Sequence, residues 1–196
     1  FLSGVRLSRF MPLIGVLAAL GTVLVVTQPY RLKRVVSYLD PWKDQFDSGY
    51  QLTQSLIAFG RGEWVGVGLG NSVQKLFFLP EAHTDFIYAI IAEEFGFLGA
   101  TGLLLLWAII LAWGLVIAGR STSIFGRFAA VGSVATVAFF ILFNVAMVLG
   151  LVPVVGVPLP LVSYGGTVMF TTMACFGIIL SVHLGRDDRL AAQGVI

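Results

Sequence analysis

A chain of 196 residues that is 58% hydrophobic and only 11% charged is excluded from the ordinary soluble domains, whose charged fraction lies near a quarter. A formal net charge of +2, with no basic patch interleaved with aromatics, excludes a nucleic-acid partner. The single cysteine, Cys175, lies in an apolar run, can form no intrachain disulfide, and reads as a small packing residue.

Four apolar runs are predicted to be membrane-spanning helices, since a backbone in lipid must satisfy its hydrogen bonds internally. A transmembrane β-barrel would need short alternating segments, and these runs do not alternate. The first run, Met11 to Thr27, follows Arg6 and Arg9 and is extended by its flanks to about 11–30. No small-x-small cleavage site closes it before Gln28-Pro29-Tyr30, so a signal peptide is not expected. A chain opening at Phe1 without an initiator methionine is read as the C-terminal part of a longer membrane protein.

Residues 31–85 are too many for a plain connection. Basic Tyr30 to Arg34 suits lipid head groups, and Asp40-Pro41-Trp42 reads as a turn with an interfacial tryptophan. In 49–59, Leu52, Leu56 and Phe59 fall at helical spacing, which predicts a short helix packed on the bundle or lying on the membrane. Gly66, Gly68 and Gly70 superficially suggest a nucleotide fingerprint, but no βαβ context supports it. A close backbone approach, or a turn that re-aims the loop, is the expected role.

The polar run with Glu81, His83 and Asp85 stops at Phe86, where the second span (86–118) begins; Glu93 and Glu94 are its only acids. Asp85 is therefore placed where an aqueous loop enters the membrane. Partial desolvation there raises a carboxylate's pKa and makes it a better base; Thr84 and Asp85 as simple helix caps is the plainer alternative. The third span is predicted over 128–152. Asn144 within it is either functional or an interhelical hydrogen-bonding residue. Pro153, Pro158 and Pro160 with Gly156 prevent regular helix before the fourth span, 161–184. Ser163-Tyr164-Gly165-Gly166-Thr167 opens that span with free backbone N–H groups, an arrangement that favours an anion.

Lys and Arg in the short connections set the orientation. Arg6 and Arg9, Arg120 and Arg127, and Arg186 and Arg189 place both chain ends, including the 185–196 tail, and the 119–127 loop in the cytoplasm. Residues 31–85 and 152–163 are then extracytoplasmic. No HExxH or CxxC pattern supports zinc, and Ser163 has no neighbouring His and acid for a hydrolase triad.

Four stretches carry a resemblance: GYQLTQSLIAFGRGEWVGVGLGNSVQK at 49–75, LPEAHTDF at 79–86, AEEFGFLG at 92–99 and PLPLVSYGG at 158–166. Together they resemble the SEDS family (FtsW/RodA type) of bacterial cell-wall polymerases, over nearly the whole chain. The resemblance implies an all-α polytopic membrane protein of roughly ten helices, of which 1–196 is the C-terminal part of one domain. It implies a peptidoglycan glycosyltransferase that polymerises lipid II in the bacterial cytoplasmic (inner) membrane, with Asp85 catalytic. A class B penicillin-binding protein and other divisome or elongasome membrane proteins are the implied partners, besides lipid II and membrane lipid.

Residues 49–85 resemble the division type and 123–185 the elongation type; Pro153-Val154-Val155-Gly156 stands where division-type members usually have Pro-Thr-Lys-Gly. For the leaving pyrophosphate, Arg61, Lys75 and the N–H groups of Gly165 and Gly166 are the expected partners, and Glu81, His83 and Ser163 complete the expected substrate-binding residues. A divalent ion, Mg or Mn, held with Asp85 would serve the same end. A lipid II transporter, or a non-catalytic scaffold for the penicillin-binding protein, is the alternative function. The chain alone is expected to be inactive.

Overall fold

The computed structural model describes residues 8, 11–28, 38, 42–43 and 49–192, with side chains to Gly185. Among these every regular element is helical. The expected turn at Asp40-Pro41, the basic Tyr30 to Arg34 stretch and Arg6 and Arg9 lie outside the described residues, as do the side chains of Arg186 and Arg189.

The chain divides into two units, 1–53 and 54–196. In the first, α1 (Met11–Val26) is an apolar helix of 16 residues. At 1.5 Å rise per residue it is roughly 24 Å long, shorter than a bilayer core of about 30 Å.

The second unit is a helical bundle. Its α2 (Tyr50–Gly62, begun in the first unit) is followed by a π-helical turn, Gln74–Phe78. Then come α3 (Ile87–Arg120), α4 (Ile124–Val148) and α5 (Gly166–Ala192). Among the described residues three helices are long and apolar enough to cross a membrane: α3, α4 and the 20 residues Gly166–Gly185 of α5. Phe86, Tyr88, Trp107, Val137, Ile141 and Leu159 lie in the main buried cluster between them. Packing on the bundle is the outcome for α2: Ser55 donates to the Val148 carbonyl at 2.8 Å, and the Phe59 and Tyr88 rings lie 5.8 Å apart.

Helix ends differ from the apolar runs where local chemistry intervenes. Ser123 caps α4, its side chain accepting from the Gly126 N–H, so α4 starts at Ile124 rather than Phe128. It stops at Val148 because Gly150 turns left-handed at φ 72°. The fourth span does not start at 161: Leu161 has φ 61°, inside a turn closed by the Ser163 N–H on the Leu159 carbonyl.

Within α3 the backbone breaks at Gly96, φ 68° and ψ −167°. A break in an apolar helix strands carbonyls before it and N–H groups after it. The 63–68 loop meets both sets. Val67 and Gly68 donate to the carbonyls of Glu93 and Glu94, while Phe97 and Leu98 donate to those of Glu63 and Trp64. This exchange needs bare backbone on both sides: a Cβ on Gly66 would lie 2.2 Å from the Glu94 oxygen, and one on Gly96 would lie 2.4 Å from the Gly66 nitrogen. Close approach is thus what Gly66 provides, whereas Gly70 faces open space and both Gly68 and Gly70 turn the loop at positive φ.

Candidate functional site

Asp85 lies one residue before the α3 N-cap, Phe86, which has no side-chain cap. The capping expectation for Thr84 and Asp85 is therefore corrected. Thr84 Oγ1 instead lies 2.9 Å from Glu81 Oε2 and 3.1 Å from the Glu81 carbonyl. Its N–H closes the same turn, in which Glu81 is held left-handed at φ 56°. The Asp85 carboxylate is half-buried and takes no hydrogen bond or ion pair among the described residues. Burial pushes its pKa above the ordinary aspartate range, and the nearby Glu81 charge adds to the rise.

The second wall of the site is the proline-rich segment 150–165. Gly156, left-handed at φ 77°, approaches Asp85 so closely that a Cβ there would lie 2.9 Å from Asp85 Oδ2. Tyr164 N–H donates to the His83 carbonyl at 3.0 Å. Asn144 joins the two walls. Fully buried near the end of α4, its Nδ2 donates to the Asp85 carbonyl at 2.8 Å and to the Val157 carbonyl at 2.6 Å. A hydrogen bond fixing packing is thus its role, but between two loops rather than two helices. Replacing Asn144 by Leu leaves two half-buried carbonyl acceptors without this donor, at a cost of about 1 kcal/mol each. Thermal unfolding of the purified variant should fall accordingly, and activity should fall with it.

The other sequence candidates divide. Glu81 and His83 lie in the Asp85 turn, and only the backbone of His83 is engaged across the site. Ser163 is buried, and its Oγ braces the turn by accepting from the Leu159 N–H at 2.7 Å. Gly165 packs on Pro158, where a Cβ would lie 3.2 Å from Cγ, while Gly166 at the start of α5 faces open space. Arg61 is exposed but lies 3.6 Å from the fully buried Glu93, which also accepts from Ser72 Oγ, so its charge is partly matched within the chain. Lys75, in the π-helical turn, is exposed and unpaired among the described residues. Sequence reasoning gave Gly156 only a helix-breaking role and missed its approach to Asp85; a glycine within a proline-rich loop was the only signal.

The residues present do not build a metal cage: among the described residues no three His, Cys, Asp or Glu side chains gather into one. Mg²⁺ commonly uses only one or two carboxylates plus substrate phosphates, and Asp85 with Glu81 is the pair this site offers.

Bilayer-length apolar helices, carrying a free, half-buried carboxylate between two clamped loops at one end, define a polytopic membrane protein with a site at the edge of its bundle. The family model FtsW/RodA/SpoVE, described as "Cell cycle protein", matches residues 1–187. The chain belongs to this family. It is 68% identical over 192 residues to a Marinobacter nauticus protein named "Probable peptidoglycan glycosyltransferase FtsW", covering 96% of the chain and 48% of that protein. It is 44% identical over 183 residues to the Bacillus subtilis "Stage V sporulation protein E", covering 93% of the chain and 50% of that protein. A solved structure of a peptidoglycan synthase complex that coordinates polymerization and crosslinking contains a chain that superposes with a TM-score of 0.71 at 30% identity, over 95% of this chain and 52% of that one. The chain thus spans about half the length of the relatives it matches.

Proposed function

We propose that the full-length protein carrying this chain is a peptidoglycan glycosyltransferase that polymerises lipid II, with Asp85 as its general base. The observation that carries this reading is the unpaired Asp85 carboxylate, desolvated enough to have a raised pKa. Its loop and its partner loop are held together by Asn144. The relatives' names, FtsW and peptidoglycan glycosyltransferase, support the reaction class.

In this reaction a sugar hydroxyl of one lipid-linked unit attacks the anomeric carbon of another. Asp85 takes the hydroxyl proton, the new glycosidic C–O bond forms, and the bond to the pyrophosphate oxygen breaks. The electron pair leaves with the undecaprenyl pyrophosphate. Lys75 and the N–H groups opening α5 are the groups proposed to meet that negative charge; Arg61 contributes less because Glu93 already faces it. A divalent ion enters this reading only as one carried by the pyrophosphate and met by Asp85.

The Asp85 end of the bundle is proposed to face outward. Arg120 closes α3 at the end opposite Asp85 and Arg127 lies in the first turn of α4, which suits the cytoplasmic side. Division is favoured over elongation, since the match to the FtsW-named Marinobacter protein runs over both the 49–85 and the 123–185 stretches. The partner proposed is a class B penicillin-binding protein, in line with a structural neighbour taken from a synthase complex.

The deciding experiment supplies the full-length protein, reconstituted with its partner, with purified lipid II. Glycan chains are expected; flipped lipid without chains would establish a transporter, and neither product a scaffold. A narrower test concerns the start of α5. With open space around it, Gly166→Val should leave unfolding within about 0.5 kcal/mol of the parent while weakening lipid II use. Unchanged apparent affinity for lipid II in the folded variant would remove these N–H groups from the site.

A further inference from the structure

We infer that Trp64 and Val65, together with Phe97 and Leu98, form a lipid-contacting anchor that seats the 63–68 loop at the acyl–headgroup boundary of the bilayer. The partner is the acyl chains of membrane phospholipid, not a protein.

The depth follows from length. As a straight rod, the 34 residues of α3 would measure roughly 51 Å, far more than a bilayer core of about 30 Å. From Phe97 to Arg120, past the break at Gly96, the helix measures roughly 36 Å at the same rise. With Arg120 at one membrane boundary and the helix tilted within the usual range of about 0–40°, Phe97 falls at the other. The inference therefore does not depend on which side is outward.

The loop is tied to that depth by its backbone. Phe97 and Leu98 N–H groups bond the carbonyls of Glu63 and Trp64, so Trp64 cannot lie far from Phe97 along the membrane normal. Their rings meet edge to face, with centroids 5.3 Å apart. Yet these side chains are uncovered: Trp64 is 69% exposed, Val65 76%, Phe97 56% and Leu98 61%. The patch continues the apolar outer face of α3, which a membrane-spanning helix turns to lipid. It is also bounded sharply, because exposed Arg61 and Glu63 stand immediately before Trp64. A tryptophan at the border between a charged loop and a spanning helix is what an interface with an apolar inner side and a wet outer side selects. The loop's polar backbone can stay at this depth because the broken helix satisfies it.

Depth-dependent fluorescence quenching tests the assignment. Trp64 is kept as the only tryptophan of the full-length protein, the others being replaced by Phe, and the protein is placed in nanodiscs of brominated phosphatidylcholine. Bromines near the headgroup end of the acyl chain should remove more than half of the Trp64 emission; bromines near the methyl end should remove less, and aqueous iodide little. Should the single-tryptophan protein not fold, the difference in quenching between the native protein and Trp64→Phe reports the same contact. Quenching by iodide with no effect of bromolipid would place Trp64 in water and overturn the proposal. Protection from both quenchers would seat a protein surface on the patch and overturn it as well.

Discussion

Asp85→Asn in the full-length protein should reduce glycan-chain formation from lipid II by about 10²–10⁴-fold, the usual contribution of a general base. The amide keeps the shape of the side chain but cannot take a proton at neutral pH. Because the carboxylate has no hydrogen bond or ion pair to lose and does not cap α3, folding and binding of the penicillin-binding partner should survive. Near-normal chain formation would remove Asp85 from catalysis, and loss of partner binding alongside activity would favour the scaffold.

The raised pKa supplies two further readouts of the same variant. The base works as carboxylate, so the parent's activity should rise with pH through a value above the ordinary aspartate range, and that limb should be absent from the residual activity of Asp85→Asn. For stability, a carboxyl whose folded pKa is raised holds its proton more tightly folded than unfolded. Its favourable contribution is complete below the unfolded value and is lost as pH rises through the folded one. Asp85→Asn should therefore melt no lower than the parent at neutral pH, and any advantage should shrink on acidification. A variant less stable than the parent at neutral pH would contradict the burial described for Asp85.

The second large effect is structural. Gly96→Ala places a Cβ 2.4 Å from the Gly66 nitrogen and 2.6 Å from the Trp64 carbonyl carbon. Both are backbone atoms, which have nowhere to retreat without breaking the four bonds between the 63–68 loop and α3. The same substitution also demands an alanine at φ 68° and ψ −167°, a region open essentially to glycine alone, which costs about 1–3 kcal/mol. Losing the exchange would in addition strand buried backbone groups at about 1–3 kcal/mol each. Gly96→Ala should thus fail to yield folded protein, or unfold many degrees lower in detergent, whereas Gly102→Ala, in open space on the same helix, should behave as the parent. Equal yields and melting of the two variants would show that the break tolerates a side chain.

Bilayer-length helices were legible because the length and apolarity of a run are local properties. What sequence could not show was where one element answers another. Residues 86–118 read as one uninterrupted span, since hydropathy is blind to φ and Gly96 looks like any helical glycine. Its partner loop lies some thirty residues away, with only glycine composition as a hint. Asp85 stood out as an acid at the edge of an apolar run, and Asn144 as a polar residue within one. Asn144's two partners are main-chain carbonyls, which leave no trace in side-chain identity. Ser163 and Arg61 stood out by their chemistry, whereas the turn that Ser163 braces and the Glu93 that Arg61 faces are set by the fold.

The clamp on Asp85 also bears on how freely its neighbourhood can drift. Its attachments to the proline-rich segment run through Gly156, the Val157 carbonyl and the Tyr164 N–H, all downstream of the Val154-Val155 pair. Val154 leans on the core while Val155 points away from it. That pair, which stands where the resemblance expects the Thr-Lys of division-type members, thus precedes those attachments in the chain. A change at exposed Val155 would alter the surface offered to other molecules and leave Gly156, Val157 and Tyr164 in place against the Asp85 turn.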